Sequence, residues 1–144
     1  MAIRVLIVED YEFWRCYVSS VLQTNPQYQV IGAVADGLEA VQMAERLKPD
    51  LVMLDIGLPT LNGIEAARRI RALSPESRIL FLSEQRSPDV VEAALGTGAN
   101  AYVLKSDAGD ELLPALEAVL EGKQFISARM VRHGAARNKS LPLP

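Results

Sequence analysis

The chain has 144 residues, 49% of them hydrophobic, and a single cysteine, Cys16. That is about one domain with enough apolar material for a core, and no disulfide framework is possible, which points to a reducing cytoplasm. The formal charge of −3 is split into −8 over residues 1–122 and +5 over residues 123–144, so the acidic body is a poor binder of nucleic-acid phosphates while the basic tail marks a second job or a linker.

No apolar stretch approaches the roughly 20 residues that cross a bilayer. Ile3–Val8 is too short, and too soon followed by acids, to be a signal leader. No membrane role is expected.

Ile3–Val8 reads as an apolar strand closed by Glu9, Asp10 and Tyr11. Phe13, Trp14, Tyr17, Val18, Val21 and Leu22 then recur at helical spacing up to Asn25-Pro26. Tyr28–Val34 is a second strand. Asp36-Gly37 is a turn and N-cap for a helix carrying Leu38, Val41, Ala44 and Leu47, which Pro49 stops. Leu51–Leu54 is a short apolar run ending on Asp55, with Gly57, Pro59 and Asn62-Gly63 behind it. Such a run bounded by turn formers fits a buried strand of a parallel sheet. Read alone, Asp55 is equally a site carboxylate at the strand's C-terminal edge or a turn aspartate.

Ile64, Ala67, Ile70 and Leu73 mark a third helix. Arg78–Leu82 is a fourth strand ending at Ser83, and Pro88 suits the first turn of the next helix. Ala101–Leu104 is a fifth strand ending at Lys105. Asp107 or Asp110 caps a fifth helix that Gly122 stops, with Pro114 an irregularity near its start. Five strands alternating with five helices predict an α/β, doubly wound parallel five-stranded sheet. Residues 123–144 lack the rhythm. Ser127–Arg137 is read as one short helix capped by Ser127, and Ser140–Pro144 as an extended linker.

The strand ends carry the chemistry. Glu9 and Asp10 follow the first strand, Asp55 the third, Ser83 the fourth and Lys105 the fifth, and a parallel sheet puts these ends on one edge. Three carboxylates there repel one another unless a cation intervenes. Oxygen ligands with room for water suit Mg²⁺. A metal beside a carboxylate nucleophile, with a hydroxyl and an ammonium at hand, is a phosphoryl-transfer site.

Taken together, Val5-Leu6-Ile7-Val8-Glu9-Asp10, Leu54-Asp55-Ile56-Gly57-Leu58-Pro59, Asn62-Gly63, Leu82-Ser83 and Tyr102-Val103-Leu104-Lys105 resemble the response-regulator receiver domain of two-component signalling over residues 2–122. The wording around Asn62-Gly63, Gly98–Lys105 and Gly122–Ser127 is similar to the subfamily whose receivers precede a LuxR-type helix-turn-helix DNA-binding domain.

The resemblance implies a flavodoxin-like (βα)5 fold with strand order 2-1-3-4-5, and a receiver at 2–122 followed by a basic extension or linker at 123–144. It implies that Asp55 accepts a phosphoryl group from a histidine kinase. Asp10, Asp55 and the Gly57 carbonyl would hold Mg²⁺, with Glu9 acting through water. Lys105 and Ser83 would contact the phosphoryl group, and Tyr102 would swing inward with Ser83. The fourth helix, fifth strand and fifth helix would report the change as a population shift. Apart from its own phosphoryl transfer and dephosphorylation, such a domain is no enzyme. A homodimer formed on phosphorylation is a possible partner state, and DNA would be reached only through a C-terminal domain outside these residues.

Two departures stand out. Glu84 follows Ser83 where the family usually has a small residue, and Ser106 follows Lys105 where it often has a cis proline. Gly57 and Gln85 occupy positions that, in the family, tune hydrolysis of the phosphoaspartate. His133, the one histidine, receives no role. The alternative outputs are a stand-alone receiver working as a phosphorelay or protein-interaction switch and, from another class, a flavodoxin-like cofactor binder. Against the latter, Glu9-Asp10-Tyr11-Glu12 would repel a phosphate in the first loop.

Overall fold

A computed structural model of the chain describes residues 2–131. The strands are β1 (Ile3–Val8), β2 (Tyr28–Val34), β3 (Leu51–Leu54), β4 (Arg78–Ser83), β5 (Ala101–Leu104) and β6 (Phe125–Ile126). The helices are α1 (Glu12–Gln23), α2 (Gly37–Leu47), α3 (Gly63–Leu73), α4 (Pro88–Leu95) and α5 (Ala108–Leu120), with a 3₁₀ turn at Lys105–Asp107 ahead of α5. Asp107 lies at the start of α5, but its side chain makes no capping hydrogen bond.

All strands pair in parallel, in the order β2-β1-β3-β4-β5-β6. This is the flavodoxin-like order 2-1-3-4-5, with one correction: a sixth strand covers the edge of β5. It comes from residues after Gly122, where Phe125 and Ile126 pair with Ala101 and Tyr102.

Side chains alternate across the strands, so the sheet divides the core. Leu6, Val8, Val52, Leu54, Phe81 and Leu104 pack with residues of α2, α3 and α4, such as Ala44, Ile70 and Ala94. Val5, Ile7, Met53, Leu80 and Val103 pack on the other face with α1 and α5, through Leu22, Leu116 and others. No helix among the described residues is long and apolar enough to cross a membrane.

Local chemistry sets the helix starts next to the site. Asp36 caps α2 by accepting from the Leu38 and Glu39 amides at 2.8 and 2.9 Å. Asn62 caps α3 by accepting from the Glu65 amide at 3.0 Å. Gly63 is needed for closeness: a Cβ there would fall 1.9 Å from the Asp55 carbonyl oxygen. The glycine thereby lets α3 start directly beneath the strand end that carries Asp55.

The extension after Gly122 folds back onto the body. Ser127 is fully buried. Its amide donates to the Tyr102 carbonyl at 2.8 Å, its hydroxyl accepts from the Leu104 amide at 2.8 Å, and the same hydroxyl donates to Glu111. A helical turn begins at 128. Its first amide, on Ala128, is met by Glu111 of α5 at 3.1 Å, so the cap comes from Glu111 rather than from the Ser127 side chain. Arg129 pairs with Asp107 at 3.0 Å, and Met130 is buried in the core cluster that holds Tyr102. The rest of the expected 127–137 helix, the 140–144 linker and His133 lie outside the described residues.

Candidate functional site

Register brings the strand ends together. Val8 pairs with Leu54, Leu54 with Phe81, and Ser83 with Leu104. The next residues along β1, β3 and β5 are therefore Glu9, Asp55 and Lys105, and Ser83 is the last residue of β4. The Glu9 amide donates to the Val34 carbonyl at 2.9 Å and the Asp55 amide to the Val8 carbonyl at 3.1 Å, which carries the ladder one step past the strands.

Lys105 is the centre of the group. Its Nζ lies 2.8 Å from Glu9 Oε1 and 3.1 Å from Asp55 Oδ2, and all three side chains are buried. The other Asp55 oxygen accepts from the Ile56 amide at 2.7 Å. Burial pushes the Glu9 carboxyl up to about 7, with the Lys105 hydrogen bond opposing and the Asp55 charge adding to the rise. For Lys105, burial pulls the ammonium down but is outweighed by the Glu9 hydrogen bond and the Asp55 charge, so it is held above its ordinary value.

Oxygens of Glu9, Asp10 and Asp55 all lie within 4.8 Å of one another. Asp10 Oδ1 is buried without a hydrogen-bond partner. A buried carboxylate oxygen left unpaired is costly, and a hard dication among three carboxylates is the partner that would satisfy it. The donor set therefore fits Mg²⁺. Gly57 lies exposed in the loop two residues past Asp55.

Ser83 is buried, and its hydroxyl accepts from the Gln85 amide at 3.0 Å. Tyr102 is fully buried in an inward pose, and its hydroxyl donates to the Gln85 carbonyl at 2.8 Å. Burial raises the phenol's pKa, the Ser83 hydroxyl beside it opposes, and the Asp55 charge adds to the rise. Glu84 is exposed at the rim. The Lys105–Ser106 peptide is trans.

Sequence reasoning missed the aromatic cover of Lys105. The Trp14 ring centroid lies 5.1 Å from Nζ and that of Tyr11 5.7 Å. The available signal was spacing: Tyr11 follows Asp10 directly, and Trp14 stands one helical turn later on the same face.

Comparison with known proteins bears on the family and the fold. Residues 5–117 match the family described as the response regulator receiver domain. The chain is 31% identical over 131 residues to the transcriptional regulatory protein DegU of Brevibacillus brevis, covering 91% of this chain and 56% of that protein. It is 33% identical to the response regulator protein VraR of Staphylococcus epidermidis, covering 91% of this chain and 63% of that one. The chain thus spans less than two thirds of the length of these relatives.

Among solved structures, a LuxR-family two-component response regulator from Aurantimonas sp. SI85-9A1 superposes with a TM-score of 0.90 at 31% identity, covering 96% of this chain and 99% of that one. The response regulator domain of Thermotoga maritima CheB gives 0.74 at 32% identity, over 81% and 95% of the two chains. On the match to residues 5–117, this chain belongs to the response regulator receiver family.

Proposed function

We propose that Asp55 is the phosphoacceptor of a two-component switch, loaded by the phosphohistidine of a sensor kinase. The supporting observation is the buried Lys105 ammonium 3.1 Å from Asp55 Oδ2, beside an unpartnered Asp10 Oδ1. Asp10, Asp55 and the Gly57 carbonyl would hold Mg²⁺, with Glu9 acting through water. Once bound, the ion neutralises charge on the transferring phosphoryl group.

This chain's own residues do the rest. Asp55 supplies the attacking carboxylate oxygen. Lys105, already held at the correct edge by Glu9, takes a phosphoryl oxygen as charge develops. The Ser83 hydroxyl, which accepts from the amide of Gln85 two residues on, donates its proton, in a hydrogen bond, to the phosphoryl group. Tyr102 and Gln85 carry the change to β5 and α4. On Asp55 the phosphoryl group replaces one carboxylate charge with a phosphate carrying roughly two, a net gain of about one negative charge together with new acceptor oxygens, and coupling of about 1–3 kcal/mol is usual for such a shift.

The output we assign is transcriptional control from a cytoplasmic regulator. It acts through a DNA-binding domain beyond residue 144, with dimerisation on phosphorylation. The support is the name of the DegU relative and the greater length of both relatives. The length of the native reading frame separates this output from a stand-alone receiver.

The test of the acceptor is incubation with Mg²⁺ and acetyl phosphate followed by intact mass. The expected result is one phosphoryl adduct, absent in Asp55→Asn. No adduct from acetyl phosphate, or from any phosphorylated kinase, would sink the reading.

A further inference from the structure

The turn that carries Lys105 is held residue by residue, and two of its holders lie past residue 117, where the family match ends. Lys105 itself reaches Glu9 and Asp55 at 2.8 and 3.1 Å. Ser106 Oγ accepts from Arg86 Nη2 of the β4–α4 loop at 3.0 Å. On either side of these two residues the holders come from a strap, residues 125–130. The Leu104 amide donates to the fully buried Ser127 hydroxyl at 2.8 Å. The Asp107 carboxylate accepts from both Nε and Nη2 of Arg129, at 3.2 and 3.0 Å.

The strap is anchored to β5 and α5. Ile126 pairs with Tyr102, and the Ser127 amide donates to the Tyr102 carbonyl at 2.8 Å. Met130 is buried in the core cluster that holds Tyr102. Glu111 of α5 accepts from the Ser127 hydroxyl and from the Ala128 amide. If the strap lifts, the Leu104 amide loses its acceptor right beside Lys105, and a buried donor left unpaired is costly. An exposed ion pair contributes little alone. Arg129 therefore supplies orientation through its two-pronged contact, and Ser127 with Met130 supplies the hold.

We propose that Ser127 and Arg129 are positioning residues of the phosphoacceptor site, and that docking of the strap and loading of Asp55 favour each other. The proposal rests on the phosphoacceptor reading and adds to it residues outside the family match. With the strap docked, both ends of the Lys105 turn are fixed and Nζ stands at Asp55. A phosphoryl group on Asp55 brings oxygens and negative charge that hold Lys105 in that same place. Two events that favour one arrangement stabilise each other by equal factors. The chain continues past residue 131 through this strap, so the state of Asp55 is passed to the residues that follow.

The experiment uses the whole chain with Mg²⁺ and beryllium trifluoride, which binds an aspartate oxygen reversibly as a phosphoryl analogue. Fluorine NMR measures the affinity, and residue-resolved hydrogen exchange follows the Leu104 and Ser127 amides with and without the analogue. In the wild-type chain the analogue is expected to slow exchange at both amides by about fivefold or more. Ser127→Ala should weaken analogue binding by a similar factor. Arg129→Ala changes only an exposed pair, so it keeps the fold and should weaken binding by about two- to threefold. Arg129→Lys should recover part of that loss. A strap that merely adds stability would leave the exchange of these amides indifferent to the analogue. Unchanged exchange in the wild-type chain, or wild-type affinity in both Ser127→Ala and Arg129→Ala, overturns the proposal. No bound analogue in the wild-type chain would instead overturn the phosphoacceptor reading beneath it.

Discussion

The Tyr102 hydroxyl donates a 2.8 Å hydrogen bond to the Gln85 carbonyl, which ties the middle of β5 to the β4–α4 loop. The ring itself is fully buried and lies 6.1 Å from Phe81. Removing only the hydroxyl leaves that packing and orphans the carbonyl, so Tyr102→Phe is expected to cost about 1 kcal/mol. Removing the ring leaves a cavity, and Tyr102→Ala is expected to cost about 3–5 kcal/mol. Urea unfolding of the three proteins measures both. A Phe variant as weak as the Ala variant would mean that the hydrogen bond, not the ring, holds the loop.

Among the described residues, Lys105 is the one cation shared by Glu9 and Asp55. Lys105→Met leaves two buried carboxylates facing each other, and breaking a buried pair in this way costs about 3–5 kcal/mol. The loss should show in full with chelator and shrink on addition of Mg²⁺, because the same oxygens then gain another cation. Unfolding curves with EDTA and with millimolar Mg²⁺ test it. Equal destabilisation in both would argue against a metal among Glu9, Asp10 and Asp55.

Asp36 offers a pH test away from the metal ligands. Its carboxylate caps α2 and accepts from the hydroxyl of Thr60, a β-branched residue held at φ 70° in the loop after Asp55. Such a φ is strained for threonine. The Thr60 hydroxyl, the largest cause, and the Glu39 amide hold the Asp36 carboxyl below its ordinary 3.8. With the folded value depressed, its stabilising contribution is present above pH 3.8 and is lost as pH falls through the folded value. Asp36→Ala should therefore lower Tm at pH 7, and the gap to wild type should close as the pH falls below 3.8. A gap that stays constant would show that the carboxylate's charge plays no part.

Much of this arrangement was legible in the chain because several levels agree. Apolar runs bounded by turn formers gave β1 to β5, and acids, a hydroxyl and a lysine at their ends converge once the strands are parallel and in register. What escaped notice depends on contacts between distant residues. Phe125 and Ile126 are too few to show a period, so β6 had no signal. Ser127 looks like an ordinary cap, because its buried partners, the Leu104 amide and Glu111, stand 23 and 16 residues away. The inward pose of Tyr102 is a rotamer chosen by packing, which no spacing rule encodes.

The segment after Gly122 yields a further prediction. It covers the β5 edge and buries Met130 and Ser127. A chain ended at residue 122 leaves β5 as an unpaired edge, a template for pairing between molecules. It is expected to melt earlier and to associate at concentrations where the longer chain does not. Light scattering and thermal melts of the two chains check this. Ser127→Ala is the milder version, expected to cost about 1–3 kcal/mol through the unsatisfied Leu104 amide. Identical melts for all three would show that the strap adds nothing.

Glu84 stands at the rim of the cleft that ends at Lys105, where any donor must pass. Its charge acts on the approaching donor. Acetyl phosphate is an anion and is repelled; at contact distance in water one like-charge pair costs about 1 kcal/mol. Glu84→Ala is therefore expected to raise the rate of adduct formation from acetyl phosphate by about fivefold or less. Added salt should shrink the effect, because an exposed charge is screened. Rates of both proteins at low and high ionic strength decide the matter. A gain that salt does not shrink would make Glu84 a steric obstacle rather than a charge filter, and no change with acetyl phosphate would remove it from the donor's path.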